Sequence, residues 1–246
     1  MLSFFHKKYF IVDYLEGLTD MHCHILPGID DGAKNETIAL EMLGLYTDLG
    51  YKGVIATPHI MEGYYNNTAA GIKETLKDLE SVMSENGYGD FHITAASEYM
   101  LDEGFDKLSE QKDLLTIKGN KVLVEMSYLQ KSVFIDTQIF DLQQQGFEPI
   151  LAHPERYPYL ANMEQILKFK EHGCLLQLNL LALNNHYGAQ AGRQALTLLS
   201  NGKYDFLGTD AHHPEHLKSI KRITISKKLV PNFEALVEKT KIGLLS

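Results

Sequence analysis

Cysteine is scarce in this chain, and its scarcity limits the kind of protein that the sequence can encode. Cys23 and Cys174 are the only two cysteines among 246 residues. Two are too few for a disulfide scaffold, and their spacing matches no cysteine zinc site. The sequence therefore predicts a protein of a reducing compartment, the cytoplasm.

Basic residues and long apolar runs are also in short supply. The chain has 23 Lys and Arg against 32 Asp and Glu, which gives a formal charge of −9. An acidic chain lacks the basic surface that holds a phosphate backbone, so no nucleic-acid partner is predicted. The richest apolar stretch, CLLQLNLLAL, is interrupted by Gln177 and Asn179 and is shorter than the roughly 18 residues of a membrane span. We therefore predict that the protein is not an integral membrane protein.

No Pro- or Ser-rich linker and no low-complexity block divides the chain into two large domains. We predict a short N-terminal arm, residues 1–18, followed by one domain over residues 19–246. The apolar run of the arm is too short for a signal peptide, and no small-residue cleavage site follows it.

Short apolar or β-branched runs alternate with longer helical patterns throughout residues 19–246. Seven strands are predicted, within residues 19–24, 53–59, 92–100, 121–127, 148–154, 175–181 and 204–212. Helices are predicted near residues 35–49, 68–86, 102–111, 132–145, 162–172, 188–201, 214–228 and 231–240. Seven βα units imply an α/β fold with a parallel sheet and favour a closed (β/α) barrel, with an open sheet as the alternative.

Every predicted strand ends in a polar side chain of a kind that binds metals. In the stretch TDMHCH, His22 and His24 share one face of the first strand while Cys23 points to the other. The later strands end in His59, Glu98, Glu125, His153, Asn179, Asp210 and His212. In βα barrels the carboxyl ends of the strands form the catalytic face, so these side chains are expected to converge in one pocket. Histidine and carboxylate ligands without thiolate suit zinc, manganese or iron.

The turn after the first strand adds two aspartates, Asp30 and Asp31. We take Asp31 as a further ligand, whereas an ordinary turn-forming role explains Asp30 equally well. The ligand candidates exceed the need of one or two ions, so three divalent ions are predicted. Their positive charges would outweigh the charges of four carboxylates, those of Asp31, Glu98, Glu125 and Asp210. The loaded pocket would therefore attract a phosphate group.

Arginine is rare, and one of the three in the chain follows a predicted strand end. Arg156 stands three residues after His153 in the segment AHPERY. Its planar guanidinium matches phosphate oxygens, so Arg156 is predicted to bind the phosphate unless it pairs with Glu155 or another acid. Arg193 and Arg222 fall within helical patterns and are expected to face solvent.

The segments HCHILPGIDDG, ATPH, ASEY, LVEMS, AHPERY and GTDAH together resemble the PHP superfamily of polymerase and histidinol phosphatase domains, nearly from end to end. Within it, the DDG turn, Glu125 and the HPERY segment are most similar to the bacterial manganese-dependent protein tyrosine phosphatases of capsule and exopolysaccharide systems, the CpsB/CapC type. The resemblance implies a distorted (β/α)7 barrel, similar to a TIM barrel, and an enzyme that hydrolyses phosphotyrosine in proteins. It also implies that the substrate is the tail of a tyrosine kinase.

The same resemblance implies how the ligands divide among three ions, with manganese as the metal and iron or zinc as alternatives. The implied sets are His22, His24, Glu98 and Asp210; Glu98, Glu125 and His153; and Asp31, His59 and His212. Arg156 would bind phosphate. His59 or His212 could donate a proton to the leaving oxygen, although both are also proposed ligands.

One departure from the family concerns phosphate binding. The family has a second arginine shortly after the last strand, whereas this chain has HHPEHLKS, in which Lys218 or His213 could substitute. Tyr64 and Tyr65 follow His59 and would either contact a phosphotyrosine ring or pack on the rim of the pocket.

Other functions stay open at this point. A histidinol phosphatase or another small-molecule phosphatase would use the same metals. A metal-dependent amidohydrolase also begins with HxH on a barrel strand, and a binding domain without activity would be expected to have lost ligands. A cysteine phosphatase is disfavoured because the sixth positions after the two cysteines hold Ile29 and Leu180 where that mechanism requires arginine.

Overall fold

A computed structural model describes residues 8–111 and 113–245 of the chain. Its strands are β1 (Tyr9–Phe10), β2 (Thr19–Cys23), β3 (Gly53–Ala56), β4 (His59–Ile60), β5 (His92–Ala95), β6 (Glu98–Met100), β7 (Lys121–Glu125), β8 (Glu148–Leu151), β9 (Leu175–Asn179), β10 (Phe206–Gly208) and β11 (Thr224–Ile225). Its α-helices are α1 (Glu36–Asp48), α2 (Ala69–Glu85), α3 (Glu103–Glu110), α4 (Ile135–Gln144), α5 (Met163–Glu171), α6 (Gly188–Ser200), α7 (Pro214–Ile220) and α8 (Val230–Gly243).

Seven strand units form a ring, and two of them are interrupted. β3 and β4 are parts of one extended segment that breaks at Pro58, which has no N–H to donate, and β5 and β6 are parts of another. Parallel pairing gives the orders β2-β3-β5 and β10-β9-β8-β7-β6-β4. The ring closes where β2 lies beside β10: the N–H of His24 donates to the Ala211 carbonyl at 3.0 Å, and that of Asp210 to the His22 carbonyl at 2.8 Å. The predicted distorted barrel is confirmed.

Strand β7 shows why the barrel strands consist mainly of apolar residues. Val122, Leu123 and Val124 are fully buried because a parallel strand in a barrel is covered on both faces. Leu123 belongs to a small apolar cluster, whereas its two neighbours belong to the main core. Alternate side chains therefore pack on opposite faces of the strand, as the pleat requires.

Side-chain caps and glycines explain most helix boundaries, and seven of the eight predicted helices are found within three residues of their predicted ends. Asn35 and Thr68 accept hydrogen bonds from the Ile38 and Gly71 N–H groups at the starts of α1 and α2. Such caps satisfy N–H groups that have no partner within the helix. Gly146 and Gly173 follow α4 and α5 with φ of 89° and 85°, a conformation that ends a helix at little cost for glycine.

The helix predicted over residues 214–228 is wrong in its second half. α7 ends at Ile220, and the chain then forms β11, which pairs antiparallel with β1 so that Ile225 lies opposite Tyr9 and Thr224 opposite Phe10. The run Ile223, Thr224 and Ile225 is β-branched, and such residues favour an extended strand when a partner strand is available.

The described part of the predicted N-terminal arm packs onto the barrel. After β1, a short 3-10 helix covers Ile11–Tyr14. Ile11, Leu15 and Leu18 are fully buried in the main core. Among the described helices, none is both long enough and apolar enough to cross a membrane.

Candidate metal centre

The nine side chains predicted as ligands lie together at the carboxyl ends of the barrel strands. Three overlapping groups have ligand atoms within 4.8 Å of one another: His24, Asp31, His59 and His212; His22, Glu98, His153 and Asp210; and His59, Glu98 and Glu125. His59 and Glu98 each belong to two groups, so the groups form one continuous cluster. The structure therefore brings together every ligand that the sequence predicted.

Four of these atoms lie close together, one each from His22, His24, Glu98 and Asp210. His22 Nε2 lies 3.1 Å from Glu98 Oε2 and 3.3 Å from Asp210 Oδ1. His24 Nε2 lies 3.3 Å and 3.4 Å from the same two oxygens, and 3.3 Å from His22 Nε2. Five of the six separations among these four atoms therefore lie between 3.1 and 3.4 Å, about the spacing of ligand atoms that share one cation with bonds of about 2.0–2.2 Å. The quartet is compact enough for its atoms to bind one cation together.

Within the described part of the chain, three buried ligand atoms have no hydrogen-bond partner: His59 Nδ1, Glu98 Oε2 and Asp210 Oδ1. A buried polar atom without a partner costs about 1–3 kcal/mol, so native structures rarely leave several of them side by side. All three belong to the cluster of candidate ligands, where a cation would satisfy them together. The residues present fit a metal.

Glu98 occupies the middle of the cluster and uses both of its oxygens. Its Oε1 lies 3.0 Å from His153 Nε2, while its Oε2 faces His22 and His24 and lies 3.3 Å from His59 Nδ1. The same nitrogen of His59 lies 3.0 Å from Glu125 Oε1. This placement suits a carboxylate that bridges two cations, the role that the resemblance implies for Glu98.

The third group opens toward solvent. Asp31 Oδ1 lies 3.5 Å from His59 Nε2 and 3.5 Å from His212 Nε2. The side chain of Asp31 is 53% exposed, whereas those of the two histidines are 12% and 15% exposed. A cation held there would therefore be the one most accessible to a substrate.

Two of the candidate ligands have an unusual backbone conformation. His153 has φ of 34° and Asp210 has φ of 51°, both in the left-handed region that residues other than glycine rarely adopt. Such conformations cost about 1–3 kcal/mol and persist where the surrounding structure enforces them, often at functional sites. Each residue lies just after its strand, β8 or β10, and the turn directs its side chain into the cluster.

Gln177 on β9 is a functional residue that sequence reasoning missed. Its Oε1 accepts hydrogen bonds from His22 Nδ1 at 3.1 Å and from the His153 N–H at 3.2 Å. A donor role for His22 Nδ1 leaves Nε2 of the same ring free to bind a cation. The glutamine interrupts an otherwise apolar strand, and that interruption was the only signal in the sequence.

Two other polar residues orient ligands without belonging to the cluster. Asp30 Oδ2 accepts from His24 Nδ1 at 2.8 Å and from the His59 N–H at 3.2 Å, so this aspartate does more than form a turn. Asn179, which the sequence placed at a strand end, donates from Nδ2 to Asp210 Oδ2 at 2.8 Å. Contacts of this kind fix the direction of a ligand and are part of most metal sites.

The electrostatics of the cluster favour the ionised form of its buried carboxylates. Burial alone would raise the pKa of Glu98, but His22 and the other neighbouring histidines hold it well below its usual range. Asp210 behaves in the same way, because His22 and Arg156 outweigh burial and keep its pKa well below the usual range. Ionised carboxylates are the form that binds cations.

Arg156 lies beside the cluster in an open cleft of about 400 Å³. Its guanidinium is stacked between two rings, 4.8 Å from the centre of Tyr128 and 3.9 Å from that of Tyr187. The guanidinium forms an ion pair with Asp210 rather than with Glu155. Arg156 therefore borders both the cluster and the cleft that a substrate would enter.

The substitutes suggested for the missing second arginine lie elsewhere. Lys218 Nζ pairs with Glu41 at 3.0 Å and with Glu215 at 2.8 Å, on the outer surface. Lys218 and His213 are both outside the set of residues that line the cleft, whereas Tyr64 and Tyr65 line it, and Tyr65 stacks on His59 with ring centres 5.4 Å apart. Arg156 is the only Lys or Arg among the described residues lining the cleft.

Cys23 is unsuited to act as a nucleophile. It is fully buried, and its Sγ points toward the Ile55 carbonyl at 3.7 Å, away from the cluster. Burial raises the pKa of the Cys23 thiol well above its usual range, which disfavours the reactive thiolate.

Comparison with known proteins places the chain among bacterial phosphatases. It is 28% identical over 198 residues to tyrosine-protein phosphatase YwqE of Bacillus subtilis, covering 80% of this chain and 78% of that protein. It is 24% identical over 231 residues to putative tyrosine-protein phosphatase CapC of Staphylococcus aureus, covering 93% and 90%.

Solved structures agree with these similarities. A structure from work on YwqE of B. subtilis and CpsB of Streptococcus pneumoniae, described as metal-dependent tyrosine phosphatases, superposes with a TM-score of 0.74 at 25% identity, covering 91% of this chain and 95% of that one. A lactonase from Listeria monocytogenes matches in fold, with a TM-score of 0.54 at 14% identity over 92% of each chain. The profile of the family described as "Capsular polysaccharide synthesis, CpsB/CapC" matches residues 18–228. The chain therefore belongs to the CpsB/CapC family of capsular polysaccharide synthesis proteins.

Proposed function

We propose that the protein is a metal-dependent protein tyrosine phosphatase that acts on a bacterial tyrosine kinase of capsule or exopolysaccharide synthesis in the cytoplasm. Membership of the family and the names of the relatives support the reaction. The observation that carries the proposal is a cluster of nine candidate ligands, three of whose buried atoms have no hydrogen-bond partner among residues 8–111 and 113–245, beside an arginine in an open cleft.

We assign three divalent cations to the cluster, with manganese as the native metal. The quartet of His22, His24, Glu98 and Asp210 would hold the first, Glu98 with Glu125 and His153 the second, and Asp31 with His59 and His212 the third. When bound, such cations supply Lewis acidity and positive charge to a phosphoryl group and to the attacking water.

The residues of the chain would perform the remaining tasks. Arg156 would bind phosphoryl oxygens, because its guanidinium is a planar donor held in place by the two tyrosine rings. Asp31 is half exposed and would orient groups that enter from solvent. Tyr65, stacked on His59 at the wall of the cleft, would contact the ring of the substrate.

Proton transfer to the leaving oxygen is assigned to His59 or His212. His212 Nδ1 donates to the Asp210 carbonyl at 3.0 Å, so its Nε2 is left either to bind the third cation or, when no cation is bound there, to transfer a proton. For His59 without a bound cation, burial opposes protonation, but the Glu125 carboxylate outweighs this effect and raises the pKa to about 9. A phenolate leaving group needs less protonation than an alkoxide, which favours phosphotyrosine over phosphoserine.

The proposed reaction is tested by comparing three substrates at one manganese concentration: a phosphotyrosine peptide, a phosphoserine peptide and histidinol phosphate. We expect the highest kcat/KM for phosphotyrosine, and loss of activity when a chelator is added. A higher kcat/KM for histidinol phosphate would make the protein a small-molecule phosphatase with the same metal centre. Full activity of the metal-free protein would contradict the metal-dependent mechanism.

A further inference from the structure

Exposed apolar side chains are concentrated on one side of the candidate active site. Among the described residues, eight large apolar side chains are exposed, and five of them belong to residues 128–140: Tyr128, Leu129, Val133, Phe134 and Phe140. Leu129 is 93% exposed and Val133 is 84% exposed. Exposure of this extent, repeated within one short segment, is typical of a surface that binds a partner.

This segment is continuous with the cleft. Tyr128 and Leu129 line the cleft together with Arg156, and the Tyr128 ring stacks on the guanidinium. Leu129, Val133 and Phe134, which we call the apolar rim, extend from that point along the loop between β7 and α4. A substrate whose phosphate reaches Arg156 would therefore have the rest of its chain near the apolar rim.

Three polar groups of the loop are paired within or next to it. The Leu129 N–H donates to Ser127 Oγ, and the Phe134 N–H donates to Ser132 Oγ, both at 3.2 Å. The charge of Lys131 is paired with Asp136 at 3.1 Å. Since the local charge is neutralised, the rim offers a partner apolar surface rather than an electrostatic contact.

We propose that the apolar rim binds an apolar side chain next to the phosphotyrosine in an extended segment of the substrate protein. An extended peptide advances about 3.3 Å per residue, so a side chain within two or three positions of the phosphotyrosine would reach the loop. A small phosphate ester would fill the cleft alone and leave Val133 and Phe134 uncovered, because neither of them lines the cleft. The rim would then select protein substrates over small ones and favour apolar neighbours of the tyrosine.

This proposal rests on the proposed phosphatase function, and the experiment separates the two. Three substrates are compared at saturating manganese: p-nitrophenyl phosphate, a phosphotyrosine peptide with leucine two positions after the tyrosine, and the same peptide with serine there. The protein tested is the double variant Val133→Ser, Phe134→Ser, because neither of these exposed residues lines the cleft. Ile242→Ser is the matched control, because Ile242 is also an exposed apolar residue, 64% exposed, on α8.

We expect the double variant to lower kcat/KM for the leucine peptide about tenfold, mainly through KM, as the loss of a buried aliphatic contact would do. Values for p-nitrophenyl phosphate and for the serine peptide should stay within about twofold, and the control should match the original protein.

Each contrary result has a distinct meaning. No manganese-dependent hydrolysis of any of the three substrates by the original protein would overturn the phosphatase function itself. Hydrolysis with equal peptide kinetics in the double variant would overturn the rim proposal alone. A dimer in light scattering that the double variant abolishes, without a change in peptide kinetics, would show instead that the rim binds a second copy of the chain.

Discussion

One amide oxygen of Gln177 accepts hydrogen bonds from two separate parts of the barrel, the His22 ring and the His153 backbone. Replacing Gln177 with Ala should release the His22 ring and weaken manganese binding about 10–100-fold, as other losses of ligand-orienting contacts do. Titration calorimetry of the metal-free protein measures this directly. Gln190→Ala is the control, since Gln190 is exposed on α6. Equal affinities for the two variants would mean that Gln177 does not orient the ligands.

Arg156 is expected to bind the phosphoryl group through two hydrogen bonds from its planar guanidinium, and not only through its positive charge. Arg156→Lys keeps the charge but loses the paired donors and the stacking between Tyr128 and Tyr187, so kcat/KM for a phosphotyrosine peptide should fall about tenfold or more. Bound manganese, measured by elemental analysis, should be unchanged. Equal kinetics for the lysine variant would mean that Arg156 has a structural role only.

The buried thiol of Cys23 gives the opposite expectation. Cys23→Ser should leave kcat for phosphotyrosine largely intact at saturating manganese, because the thiol faces the Ile55 carbonyl and not the cluster. His24→Ala, one residue away, should abolish nearly all activity because it removes a predicted ligand. If the serine variant instead lost activity while folded and loaded with manganese, a thiol mechanism would have to be reconsidered.

At the scale of elements, the short helix Ile11–Tyr14 is expected to stabilise the barrel although it precedes the first barrel strand. Ile11→Ala removes a fully buried side chain and should lower the free energy of unfolding by about 2–4 kcal/mol, measured by urea denaturation at saturating manganese. Ile242→Ala, at an exposed position, should change it by less than about 0.5 kcal/mol. Equal effects would show that residues 8–18 do not contribute to the core.

The pairing of β1 with β11 explains why the helix prediction near the end of the chain was partly wrong. The mixture of charged and aliphatic residues in Lys221–Leu229 is typical of a helix. Its β-branched centre, however, pairs with β1 and is extended. The partner strand lies more than 200 positions earlier in the sequence, so no local sequence pattern could predict this pairing.

At the scale of the whole molecule, the metal cluster is expected to contribute to stability. Four carboxylates converge there, those of Asp31, Glu98, Glu125 and Asp210. Without cations they repel one another, and ligands that bind only the folded state stabilise it by mass action. A chelator should therefore lower the Tm measured by calorimetry, and manganese should restore it. Asp210→Asn should show a smaller response, and an unchanged Tm in the original protein would contradict the proposed ligand geometry.

The succession of seven strand units and the polar residues that end them could be predicted from the sequence alone. Both are local properties: the alternation of patterns identifies the elements, and parallel direction places all strand ends on one face. For this reason eight candidate ligands could be identified from their positions at the ends of apolar strands and Asp31 from the turn after the first strand, and the family resemblance could divide the nine among three ions.

Only the tertiary structure determined which side chains contact and orient those ligands. Gln177 contacts His22 across 155 positions of sequence, and Asn179 contacts Asp210 across 31. Asp30 could be read as a turn former, but its bond to His24 depends on how the turn folds back over β2. Such contacts depend on which strands become neighbours when the barrel closes and on the rotation of each side chain. Closure is a collective result of packing all seven strand units, so no single stretch of sequence specifies it.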